Sequence, residues 1–102
     1  MTQHRQGDVL LTLVTEMPKG KKMKAENGRV ILARGEATGH HHSIAVADVE
    51  TATETAEGIF LRIMSTTDLV HQEHAPITLQ PGIWKVTRQR EYTPEEIRNV
   101  AD

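Results

Sequence analysis

Histidine is the residue that gives this chain its chemical possibilities. His40, His41 and His42 follow Gly39, and His71 and His74 come later, so five of the six histidines fall into two short clusters. Neutral imidazole is the commonest metal ligand and the side chain whose ordinary titration lies nearest neutral pH. Same-face residues on a strand are about 6.6 Å apart, twice the rise of one residue. Two imidazoles at that spacing can converge on one ion, so His40-x-His42 reads as a half-site. His71 and His74 flank a turn at a spacing from which both rings can also reach one point. Together they predict a site with His40, His42, His71 and His74 as ligands, and with Glu36 or Glu73 as a further oxygen ligand or acid/base group. No cysteine is present, so thiolate sites are excluded, and zinc and other divalent transition metals remain open. A metal-free, pH-responsive histidine cluster is the other chemistry these residues permit.

The elements that must position these residues read as β-strands. Val9-Leu10-Leu11-Thr12-Leu13-Val14 is apolar on both faces, as expected of a central strand. Asn27-Gly28 is a strong turn signal before a second strand, residues 29–34. The span 40–49 reads as a third strand, with His40, His42, Ile44 and Val46 on the inner face and His41 facing out. Residues 50–57 carry no large apolar group and are expected to form an acidic loop. Further strands are expected at 58–64, 68–71, 77–79 and, after Pro81-Gly82, at 83–92. Thr93-Pro94-Glu95-Glu96 has the N-cap, first-turn proline and capping-box glutamate of a helix start, which predicts a short helix over 93–101. The expected fold is one mainly β domain spanning 1–102: a small rolled sheet or barrel of six or seven short strands with a terminal helix.

Bulk composition narrows the function classes. The chain has 102 residues, a formal charge of −2 and three aromatic residues of the Phe, Trp and Tyr type. That balance offers no global field for nucleic acid or an anionic membrane. No stretch approaches the roughly 20 apolar residues of a membrane span, and the N-terminus carries no apolar signal region, so a cytoplasmic protein is expected. Arg88, Arg90 and Tyr92 share one face of the last strand candidate. With Arg62 and the loop lysines Lys19, Lys21, Lys22 and Lys24, they define the alternative reading, a nucleic-acid- or protein-binding accessory module. Ser43 beside His42 does not make a hydrolase, because neighbours on a strand face opposite sides and no G-x-S-x-G elbow is present. A long strand at a sheet edge would also permit homo-oligomers.

Two resemblances follow from these residues. His40-x-His42 after a glycine-rich turn, with Pro81-Gly82 introducing a later strand, resembles in part the cupin pattern. That resemblance implies a small jelly-roll barrel with a divalent metal in its mouth. The second covers nearly the whole chain: Gln6-Gly7-Asp8-Val9-Leu10-Leu11, then Gly35-Glu36-Ala37-Thr38-Gly39-His40-His41-His42, then His71-Gln72-Glu73-His74-Ala75-Pro76-Ile77 and Gln89-Arg90-Glu91-Tyr92. It is similar to small uncharacterised bacterial and phage proteins, and so implies a family without an activity.

Overall fold

A computed structural model describes residues 2–35 and 39–88 of the chain. Among them are ten strands: β1 (Gln3–Gln6), β2 (Val9–Val14), β3 (Lys21–Lys22), β4 (Arg29–Arg34), β5 (His41–Ala45), β6 (Val49–Thr55), β7 (Gly58–Ile63), β8 (Thr67–Leu69), β9 (Ile77–Leu79) and β10 (Gly82–Arg88). Six form one antiparallel sheet in the order β1-β2-β10-β7-β6-β3, and β4-β5 and β8-β9 form two separate hairpins. The fold is mainly β, as the strand-rich sequence predicts.

The sheet is organised by its central strands. β10 pairs with β2 on one side, Val86 opposite Leu11, and with β7 on the other, Trp84 opposite Leu61. Directly paired residues share a face, so Leu11, Val86, Trp84 and Leu61 make one apolar surface. Val30, Leu32 and Ile44 of the β4-β5 hairpin and Leu69 and Leu79 of the β8-β9 hairpin join them in one buried cluster. Trp84 is the largest buried side chain, and its indole N–H donates to the Gln80 carbonyl at 2.9 Å, as a buried tryptophan requires.

Local chemistry explains the turns. Asn27 and Gly28 both have positive φ, at 51° and 77°, while Glu26 and Arg29 exchange backbone hydrogen bonds at 2.8 and 2.9 Å. This is the two-residue turn that Asn-Gly predicts. Arg34, at the other end of β4, also pairs with Glu26.

Several expectations are corrected. No closed barrel forms among the described residues: β1 and β3 remain as sheet edges, and the β4-β5 hairpin lies over the face instead of joining the ring. β3 is only two residues long, too short to carry closure. Residues 50–57 are not a loop; β6 occupies most of that span. Its threonines suit a strand, with Thr53 buried opposite Phe60 and Ala52 facing Leu61. The third strand stops at Ala45, where one 3₁₀ turn at Val46–Asp48 redirects the chain and leaves Val46 exposed. β1 was not expected, because Gln3-His4-Arg5 has no apolar alternation; it is a polar edge strand, as edges commonly are. The helix over 93–101 and the continuation of the last strand past Arg88 lie outside the described residues.

Candidate functional site

Hydrogen bonding between β5 and the end of β8 builds the site. Ser43 and Val70 exchange backbone hydrogen bonds, both 3.0 Å. Continuing that antiparallel register sets His42 opposite His71, His41 opposite Gln72 and His40 opposite Glu73. Each of these pairs is in contact. The His42 and His71 rings lie 4.4 Å apart between centroids, the His41 amide donates to the Gln72 side-chain oxygen at 2.8 Å, and His40 Nδ1 lies 3.2 Å from a Glu73 carboxylate oxygen. His74 closes the group, with ring centroids 4.7 Å from His71 and 5.9 Å from His42. His40 is 5.6 Å from His71. All four histidines singled out by spacing therefore meet at one place, and Glu73 sits beside them.

His42 anchors the group. Its side chain is 6% exposed, and its Nδ1 lies 2.7 Å from Gln6 Oε1. The Gln6 amide nitrogen donates to the carbonyls of Leu69 and Ala75, at 3.0 and 2.9 Å. Those two carbonyls fix which end of the amide is nitrogen, so Oε1 must accept and His42 Nδ1 must carry the proton. The His42 lone pair is consequently on Nε2, which faces Asp8 Oδ1 at 3.9 Å. Burial, and next the neighbouring His71, push the His42 pKa down to about 4, against the opposite pull of Asp8. His42 is thus a neutral imidazole at pH 7, the form that ligates metal. Asp8 also holds Arg88 Nε at 3.2 Å.

The remaining rings are held less firmly. His71 Nδ1 accepts the backbone N–H of Glu73 at 3.0 Å, which leaves the proton on Nε2 in its neutral form. Burial, with His74 and His40 nearby, lowers its pKa. His74 is exposed and packs over the β1-β2 turn at Gly7, where φ is +59° and an added Cβ would lie 2.8 Å from His74 Nε2. As the side chains stand, no group of three or more histidine, aspartate or glutamate residues among those described is arranged to hold a metal ion.

The other sequence candidates separate. His41 is half-buried and off the cluster face, and His4 packs on Trp84 with ring centroids 5.5 Å apart. Ser43 is 1% exposed and occupied by Arg29, whose Nε donates to its hydroxyl at 2.7 Å. Arg88 is exposed, and its Nε lies 3.2 Å from Asp8 Oδ2. Glu36, Arg90 and Tyr92 lie outside the described residues. Gln6 and Asp8 were missed by spacing arguments. Their one local signal is the Gln6-Gly7-Asp8 turn, where polar side chains interrupt a strand beside an obligatory bend.

Among the described residues no helix is long and apolar enough to cross a membrane. The jelly-roll arrangement implied by the cupin resemblance finds no support, since the sheet stays open. No curated protein and no solved structure matches the chain significantly. A family model does match, over residues 5–89, and this stretch contains the histidine cluster together with Gln6 and Asp8. The chain therefore belongs to the family described as a domain of unknown function (DUF8820).

Proposed function

We propose that the histidine cluster binds a divalent transition metal ion, with His42 Nε2 and Asp8 as its fixed pair of ligands. His74 is the nearest further ring, and His71 and His40 join the shell only by exchanging their present contacts with Glu73 for the metal. The observation that carries this reading is the orientation of His42. A buried ring whose Nδ1–H is donated to a protein oxygen, with its Nε2 3.9 Å from a carboxylate oxygen, has the hydrogen-bonding arrangement of a metal-ligating histidine. Two acceptors facing each other also repel unless a cation lies between them. Ligands at about 2.0–2.2 Å from one ion stand about 3.4 Å apart at the tetrahedral angle and at most about 4.2 Å apart. The 3.9 Å between His42 Nε2 and Asp8 Oδ1 falls inside that range. A third ligand requires a side-chain rotation, which the half-buried His71 and exposed His74 have room to make. With an open position left over, such a site supports Lewis-acid or hydrolytic chemistry; with four protein ligands it is structural. A chain with no cysteine also fits a reducing compartment such as the cytoplasm.

The test is metal analysis of protein prepared without a nickel column, followed by calorimetric titration of the chelator-treated protein with Zn²⁺ and Co²⁺. One equivalent should bind, and His42→Ala and Asp8→Asn should each weaken it by about tenfold or more. Absence of stoichiometric binding, or undiminished binding by folded His42→Ala protein, would overturn the proposal. Near-ultraviolet signals from Trp84 establish whether each variant is folded.

A further inference from the structure

Among the described residues Arg29 has no acidic partner. Its Nε donates to the Ser43 hydroxyl at 2.7 Å and one Nη to the Ser43 carbonyl at 3.1 Å. No carboxylate among the described residues lies within ion-pair distance of it. The pairing to Ser43 uses one edge of the guanidinium and leaves the end-on edge, with its parallel N–H groups, for another acceptor. Ser43 is 1% exposed and is itself fixed by the backbone bridge to Val70. The fork is therefore held in place before any ligand arrives, which lowers the entropy lost on binding.

Two hollows meet at Arg29. One is lined by Asp48 and Asp68 together with Thr66 and Thr67, and its carboxylates repel an anion. The other, about 330 Å³, is lined by Arg29, His41, Ser43, Val70, His71 and Gln72. Its lining contains no acidic side chain, one imidazole, His71, whose Nε2–H can donate, and an apolar wall at Val70. His71 belongs both to this groove and to the histidine cluster.

We infer that the groove between β5 and the 70–72 segment binds an oxyanion, a carboxylate or phosphate group, end-on to Arg29. The Gln72 side-chain amide, whose oxygen already accepts the His41 N–H, supplies a further hydrogen bond from the rim through its nitrogen, and Val70 supports the carbon skeleton of the ligand. The inference stands apart from the metal reading: the groove needs only residues already in place. If both hold, a ligand clamped by Arg29 is delivered alongside His71, which limits the ligand class for the metal site to small anions.

The experiment is a ¹H–¹⁵N NMR titration of the metal-free protein with inorganic phosphate and with acetate, at constant ionic strength set by chloride. Saturable shifts are expected at the Arg29 Nε–H and at the amides of His41, His71 and Gln72 with at least one of the two anions, and the tighter anion identifies the class. Arg29→Gln should bind about tenfold more weakly, and Arg29→Lys, which keeps charge without the fork, should fall between. Should Arg29→Gln fail to fold, the wild-type map decides alone: shifts centred on Lys21, Lys22 and Lys24, or no saturation, overturn the inference. Unchanged affinity in folded Arg29→Gln also overturns it. Because no metal is present, loss of metal binding elsewhere in the site leaves this result intact.

Discussion

Replacing Gln6 by leucine removes the group that joins three parts of the molecule. Gln6 lies at the end of β1, 2% exposed, and contacts His42 Nδ1 and the carbonyls of Leu69 and Ala75. Leucine fills a similar volume and makes none of these bonds. The Ala75 residue is exposed, so its carbonyl regains water. Leu69 and His42 are 0% and 5% exposed, so the Leu69 carbonyl loses its side-chain donor and the His42 Nδ1–H is stranded. Each stranded group costs roughly 1–3 kcal/mol, and the added apolar contact offsets part of this. The net loss expected is about 2–4 kcal/mol. For a domain of this size that corresponds to a fall in Tm of roughly 10–30 °C. Urea unfolding followed by the fluorescence of Trp84, the single tryptophan, measures it. A Gln6→Leu midpoint within about 0.5 kcal/mol of wild type would refute the reasoning, because surface substitutions away from such networks fall in that band. Gln6→Glu adds a check on the sign. Its second carboxylate oxygen would face two carbonyls, so this variant is destabilised at neutral pH and regains stability as acid protonates the new carboxyl.

Other outcomes follow from the same geometry. The metal-free protein should lose stability on acidification, since unfolded His42 takes up a proton below pH 6.5 and folded His42 only below about 4. That contribution is complete above pH 6.5, disappears as the pH falls towards 4, and amounts to at most about 3 kcal/mol; His71, also lowered, acts with the same sign. Urea midpoints across that pH range test it, and a flat profile contradicts it. Gly7→Ala should cost about 1–2 kcal/mol for its positive φ and also displace His74, whereas Gly28→Ala, with φ +77° and nothing within 4 Å of the added Cβ, carries the backbone term alone. Calorimetry on both variants separates the two effects: metal affinity should fall in Gly7→Ala only.

Much of the fold is legible because its signals are local. Asn27-Gly28 reads as a tight turn because positive φ depends on the residues themselves; the apolar run of β2 reads as a strand inside the sheet, but only Val9 and Leu11 in it are buried, and Leu13 is exposed. β6 shows the limit of that approach. A stretch of Thr, Ala and Glu is strand or loop according to its neighbour, and only pairing with β7 selects strand. Likewise the open sheet instead of a barrel depends on which edges meet, which no single segment encodes.

For the site, the ligand types and the two clusters are legible in the chain alone, since imidazole chemistry and the His-x-His spacing belong to the residues. That the clusters meet is a property of the folded chain. One bridge between Ser43 and Val70 sets a register that carries His42 to His71 and His40 to Glu73. Gln6 and Asp8 likewise acquire their roles on folding. They lie far from the histidines in sequence, and they reach His42 only because β1 and β2 fold back over it. Register between distant strands is a property of the assembled core, where apolar faces must match, and so it is written in no local stretch of chain.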